Sequence, residues 1–132
     1  VAFLHKRSTV TALYDHVWVS YTAHLSSLKA FEHVEHKVAP ENVQYRTDSV
    51  VGVKDAIVAG LGLGFLPCML GDRTPGLTRV GPVVSELSDA LWLLTHPDIR
   101  KSERVKSFMS FCAEAVAKQK NLIEGHCPIS GG

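Results

Sequence analysis

Apolar and polar positions change rhythm along this chain, and the clearest change falls between Asp48 and Pro67 (DSVVGVKDAIVAGLGLGFLP). Val50, Val53, Ala56 and Ile57 recur at helical spacing, while Lys54 and Asp55 can face water. Asp48 and Ser49 stand where side-chain oxygens accept from the unpaired N–H groups of a first helical turn. Gly60 or Gly62 supplies the left-handed residue that ends such a helix. Leu63 to Leu66 then reads as a short buried strand, and Pro67 stops its hydrogen-bonding ladder. Helix, tight turn and buried parallel strand are the repeating step of an α/β sheet.

The flanking pattern extends this step in both directions. Val1 to Leu4 reads as a short strand, broken by the polar His5-Lys6-Arg7. His16 to Tyr21 is β-branched and aromatic, hence strand-like. Leu25 to His36 places Leu25, Leu28, Ala30, Phe31 and Val34 near one side of a helix, with Ser26 or His24 at its start. Val43 to Thr47 is another short strand. Beyond the turn chemistry of Gly71 to Gly76 come a strand at Leu77 to Val80 and a strongly apolar strand at Ala90 to Thr95. A last helix begins within Asp98 to Ser102 and runs to about Lys120, with Val105, Phe108, Met109, Cys112 and Val116 as its stripe. Trp18 and Trp92 both fall in predicted strands, where core packing is expected. The central strand–helix–strand–helix–strand order predicts a right-handed, parallel three-stranded sheet. With the middle strand at an edge, a ligand crevice would lie at the carboxyl ends of the strands.

Composition changes little in this picture. The 132 residues suit one compact domain, and 45% hydrophobic with 20% charged residues is ordinary for a soluble globular protein. Fourteen basic against thirteen acidic side chains give a formal net charge of +1, so no global bias toward nucleic acid is present. No apolar run approaches a membrane-spanning length. Cys68, Cys112 and Cys127 are widely spaced and odd in number, which supports neither a disulfide framework nor a four-ligand zinc site. Reduced thiols in a cytoplasmic protein are the simpler account, with Cys112 in the core and Cys127 exposed. The chain starts at Val1 with no charged-then-apolar leader, and it is expected to be a piece of a longer protein.

Candidate chemistry is sparse. Gly60, Gly62 and Gly64 follow a helix and enter a strand, the reverse of a dinucleotide fingerprint. Glu32, His33, Glu35 and His36 form a polar cluster on one helix, and a solvated face is preferred to a metal site because no H-E-x-x-H pattern exists. No serine lies in G-x-S-x-G, so neither catalytic residues nor a cofactor are expected. Arg100, Lys101, Arg104 and Lys106 gather at the start of the last helix, an unfavourable end for cations. The turn Ser20-Tyr21-Thr22-Ala23-His24 holds more promise. It joins a strand end to a helix start, where free N–H groups attract anions. Hydroxyls, a titratable imidazole and the flat face of Tyr21 are at hand. A capped turn and a ligand contact explain this chemistry equally well.

The run Ser49, Ile57, Ala59, Gly60, Gly62, Gly64, Leu66, Pro67 resembles the effector-binding domain of LysR-type transcriptional regulators. Leu91-Trp92-Leu93-Leu94-Thr95-His96-Pro97-Asp98-Ile99-Arg100, then Arg104-Val105 and Phe108, resembles the last strand and helix of that domain. The resemblance implies a periplasmic-binding-protein-like (type 2) α/β fold, a parallel-sheet lobe flanked by helices. Residues 1–66 would be the second lobe, 67–120 the return to an incomplete first lobe with its strand and C-terminal helix, and 121–132 a flexible tail. It also tips the Ser20–His24 turn toward ligand contact, since the corresponding turn in the family lines the inducer cleft.

The implied function is effector sensing for a bacterial, cytoplasmic, DNA-binding switch. A small organic anion would touch Ser20, Tyr21, Thr22, Ala23 and His24, approached by Ser49, Phe65 and Pro67. DNA would be met only through a helix-turn-helix that nothing here resembles, and no membrane is involved. A solute-binding protein of the same fold is the alternative, and a small hydrolase the remoter one. Homodimers or higher homo-oligomers are expected, through the edge strand Val43–Thr47 or through the last helix's stripe, which would otherwise stand bare.

Overall fold

The structure, a computed structural model, describes residues 1–126. Its centre is a mixed sheet in two ladders. Strand β2 (Trp18–Tyr21) runs parallel to β3 (Val43–Thr47), with an irregularity between Trp18 and Val19. Strand β1 (Ala2–His5) lies antiparallel between β4 (Gly64–Phe65) and β5 (Leu77–Val80). A parallel bridge from Trp18 to Leu63 joins the ladders. There the Val19 N–H donates to the Leu63 carbonyl (2.7 Å) and the Leu63 N–H to that of Val17 (2.8 Å). The lateral order is therefore β3–β2–β4–β1–β5.

The expected parallel set is present, with β3 at an edge. What differs is the addition of β1 and β5 in antiparallel sense, which makes the sheet mixed. Ala2, Phe3 and Leu4 are buried on both faces of the sheet, so β1 is a central strand despite its short length. Because β5 pairs with β1, the sheet does not end at Pro67.

Helix α1 (Lys29–Lys37) and helix α2 (Val50–Val58) are the crossover helices. The first begins later than its apolar spacing suggests. Ala23–Leu25 winds as a 3-10 turn, and Leu28, not Ser26 or His24, is the N-cap. The second begins as expected, with the Gly52 N–H donating to Ser49 Oγ at 3.3 Å. Gly60 takes the left-handed conformation (φ 80°) that stops the helix. Gly62 has a different duty: a Cβ there would stand 2.6 Å from the Val17 carbonyl oxygen, so its small size permits the inter-ladder bridge. Val53, Ala56 and Ile57 bury the inner face of α2 against Val19 and Tyr21.

After β4 come a helical turn α3 (Cys68–Gly71) and then β5. Arg79 on β5 grips the nearly buried Asp72 with two bonds, Nε to Oδ1 at 2.7 Å and Nη2 to Oδ2 at 2.5 Å. Its remaining Nη1 donates to the Gly125 carbonyl at 2.9 Å. The hydrogen bonds that Arg79 donates to Asp72 hold its pKa above the ordinary value.

The C-terminal third departs most from expectation. Ala90–Thr95 forms no strand and lies exposed, with Leu91 67%, Trp92 75% and Leu94 81% accessible. Its composition favours a strand, but among the described residues no neighbouring strand pairs with it to satisfy its backbone. Trp92 is consequently not a core residue, whereas Trp18 is fully buried. Helix α4 (Glu103–Lys118) forms close to its expected span, yet none of its residues is buried. Cys112, expected in the core, is only half-buried for the same reason. The tail expected to be flexible from residue 121 is structured as far as His126. Helical turn α5 (Lys120–Ile123) is followed by Gly125, buried against Cys68. Cys127 and the remainder of that tail lie outside the described residues.

Candidate functional site

The carboxyl ends of β3, β2 and β4 share one edge of the sheet, as parallel pairing requires. On this edge β2 finishes with Ser20 and Tyr21, both buried, and the chain turns through Thr22, Ala23 and His24. The Thr22 N–H donates to the Thr47 carbonyl (3.0 Å), tying the turn to the end of β3. Two residues beyond Thr47, Ser49 opens α2. A Cβ on Gly52 would stand 2.6 Å from Thr47 Oγ1, so the first turn of that helix is pressed on the same strand end. Across β2, the Tyr21 hydroxyl donates to the Phe65 carbonyl at 2.9 Å, and Leu66 and Pro67 follow directly.

Ser20 Oγ and Thr22 Oγ1 are both enclosed, and neither has a hydrogen-bond partner among the described residues. Buried hydroxyls are nearly always paired, because leaving one unpaired costs about 1–3 kcal/mol. Two such groups, one residue apart at a strand's carboxyl end and beside a helix N-terminus, form a local polar deficit. Ala23, His24 and Pro67 are exposed at its rim, and Ser49 is half-buried.

Tyr21 and Phe65 take other roles than their sequence positions suggest. The Tyr21 ring is 3% exposed and packed with Val19, Val53 and Ile57, so it offers no open face to a ligand. Phe65 turns its ring into the core, tilted on Trp18 at 5.0 Å and met edge-on by His33 at 5.3 Å. Both fix the strand ends instead of lining a surface.

Burial pushes the Tyr21 phenol up to about 12. An unfolded tyrosine ionises near 10, so between pH 10 and 12 the unfolded chain releases a proton that the fold retains. Stability should therefore fall with rising pH across that window, by up to ~3 kcal/mol from this group. Urea unfolding at pH 9 and 11.5 checks the sign. Between those two pH values the drop should be smaller in Tyr21→Phe by about 2 kcal/mol, and equal drops in the two proteins would refute it.

Two features were invisible in sequence. Arg46 Nη1 donates to the Tyr21 carbonyl (3.2 Å), and its Nη2 pairs with Glu35 at 2.7 Å. A cation thus stands at the end of β2, and only the parallel register places it there. His33, grouped with a solvated cluster, instead shares a hydrogen bond with the Tyr14 hydroxyl (3.1 Å), and desolvation lowers its pKa. Among the described residues, no group of three or more His, Cys, Asp or Glu side chains could hold a metal ion. Two cavities of about 380 and 400 Å³ lie elsewhere, around Leu91, Val116 and Ile123.

A family model described as the LysR substrate binding domain matches residues 2–117. Comparison with curated proteins and with solved structures gives no match.

Proposed function

Since the chain belongs to the LysR substrate-binding-domain family, we propose that it senses a small-molecule effector for a LysR-type transcriptional regulator. The observation that carries this reading is the pair of enclosed, unpartnered hydroxyls of Ser20 and Thr22 at the carboxyl edge of the sheet. An effector with oxygen acceptors would satisfy both. The start of α2 adds a positive dipole end, and the Ala23–His24 backbone and Pro67 border the approach. A small organic anion is the class that this chemistry favours.

In this reading the sheet β3–β2–β4–β1–β5 with α1 and α2 is the second lobe. The effector lies between it and a first lobe, to which residues from about 90 to 118 return. Closure of the lobes on the effector would reset how an oligomeric, cytoplasmic regulator sits on DNA, with operator contact made by a separate helix-turn-helix. No helix among the described residues is long and apolar enough to cross a membrane. One lobe supplies only part of a two-lobed cleft, so affinity of this chain alone should lie in the millimolar range, about 4 kcal/mol.

Amide NMR titration with benzoate, and in parallel with a short aliphatic carboxylate, tests the site. Shifts should gather at Ser20–His24 and Ser49–Gly52. Thr22→Val, which keeps shape and removes the hydroxyl, should weaken binding by about tenfold, the worth of one hydrogen bond. Shifts confined to other regions, or equal affinity in the variant, would remove the turn from the site.

A further inference from the structure

We propose that Arg46 binds the carboxylate of the effector and that Glu35 is an internal competitor for the same guanidinium, so that an effector enters by taking Arg46 from Glu35. This rests on Ser20–His24 being the effector contact, and it adds the residue that selects the ligand's charge.

Parallel register sets the position. Ser20 and Arg46 are paired residues of β2 and β3, so their side chains leave the same face of the sheet. Thr22 continues in extended backbone, and the period of two returns its side chain to that face. The Arg46 side chain reaches across from β3 to the Tyr21 carbonyl, the peptide oxygen between those two residues, at 3.2 Å from Nη1. The guanidinium therefore stands over the strand end that carries both hydroxyls left without partners among the described residues. Ser20 is only 1% exposed, so its hydroxyl must be satisfied within this site.

Charge shows why the helix start is not enough. Asp48 lies exposed beside Ser49 and already sets a carboxylate at the N-terminus of α2. A second anion there is repelled unless a cation offsets it. Arg46 is the one Arg or Lys side chain hydrogen-bonded to this strand end among the described residues.

Glu35 holds that cation loosely. It meets Nη2 through one oxygen, Oε1 at 2.7 Å, with the Arg46 side chain 34% and the Glu35 side chain 40% exposed. A pair so open to water is weak. A free carboxylate has two advantages over it. Both of its oxygens can lie on the planar fork, and it can accept from the Ser20 and Thr22 hydroxyls, which Glu35 leaves unsatisfied. Once displaced, Glu35 turns into the water that already reaches it.

Benzoate and benzamide share a ring and differ in charge, so amide NMR titrations of the 132-residue chain with each separate the roles. The native chain should prefer benzoate by about tenfold, the worth of a charged hydrogen bond. Arg46→Gln should weaken benzoate about tenfold and bring the two ligands within about threefold of each other. Arg46→Lys keeps the charge, loses the fork and should lie between. Glu35→Gln should tighten benzoate about threefold, and that gain should vanish in Glu35→Gln/Arg46→Gln. Lys106→Gln makes the same change of charge on α4 and should leave both affinities within about twofold.

Shifts at Ser20–His24 with native benzoate affinity in the Arg46 variants would overturn the role of Arg46 and leave the turn as the effector contact. Shifts confined elsewhere would overturn both readings. A Glu35→Gln gain that persists without Arg46, or an equal loss in Lys106→Gln, would assign the effect to net charge and overturn the competition.

Discussion

Trp18→Ala is expected to cost about 3–5 kcal/mol of stability, enough to unfold a large share of molecules in a domain whose total is of the order of 5–15 kcal/mol. The side chain is fully buried, stacked on Tyr14 (centroids 6.1 Å apart, 9° between planes) and tilted against Phe65. Its indole N–H donates to the Leu13 carbonyl at 2.9 Å. The residue also carries the bridge to Leu63 that joins the two ladders, so the cavity left by alanine would open at the joint between them. Trp18→Phe keeps a ring, loses the indole bond and should cost less, about 1–2 kcal/mol. Urea unfolding followed by circular dichroism measures both. A loss below about 1 kcal/mol for the alanine variant would show that the joint is held elsewhere.

Asp72→Ala should be comparably damaging for an electrostatic reason. The Asp72 side chain is 2% exposed and that of Arg79 18%, so both charges are largely withdrawn from water. Removing the carboxylate strands the guanidinium, and breaking such pairs typically costs about 3–5 kcal/mol. The double variant Asp72→Leu/Arg79→Met removes both charges and should fall within about 2 kcal/mol of the native chain, since apolar replacement of a buried pair is often near neutral. Recovery in the double variant separates a stranded charge from simple loss of packing. If the two variants were equally unstable, the ion pair would be a minor part of the site. Amide exchange should also quicken at Gly125 in both, because Arg79 Nη1 holds that carbonyl only while the fork is set.

The parts of the fold legible in sequence were those decided within a few neighbouring residues. Ser49 caps α2, Val53, Ala56 and Ile57 form its buried face, and Gly60 ends it, each for a local reason. Pairing was less legible. The four residues of β1 give no sign of direction or partner, so its antiparallel place between β4 and β5 is a tertiary outcome. Ala90–Thr95 shows the converse: strand composition without a neighbouring strand does not make a strand. At the site, the sequence indicated a turn rich in hydroxyls beside a helix start. It could not show that Ser20 and Thr22 would be enclosed and unpaired, nor that Tyr21 and Phe65 would turn inward. Enclosure depends on what covers a residue from distant parts of the chain. Arg46 escaped notice for the same reason, since only the register with β2 brings it to the Tyr21 carbonyl.

The central position of β1 sets a schedule for the growing chain. Ala2 faces Phe65 on one side and Val80 on the other, so neither neighbour exists when β1 leaves the ribosome. At synthesis rates of ~5–20 residues per second, Ala2–Leu4 wait roughly 3–15 s with both strand edges bare. Contacts this distant also slow the final closure, because a long loop must be ordered before its pairing is gained. Those seconds, and not the finished fold, are when this apolar strand is open to a chaperone or to another nascent chain. A strand enclosed on both edges in the completed sheet is the one exposed longest during its making.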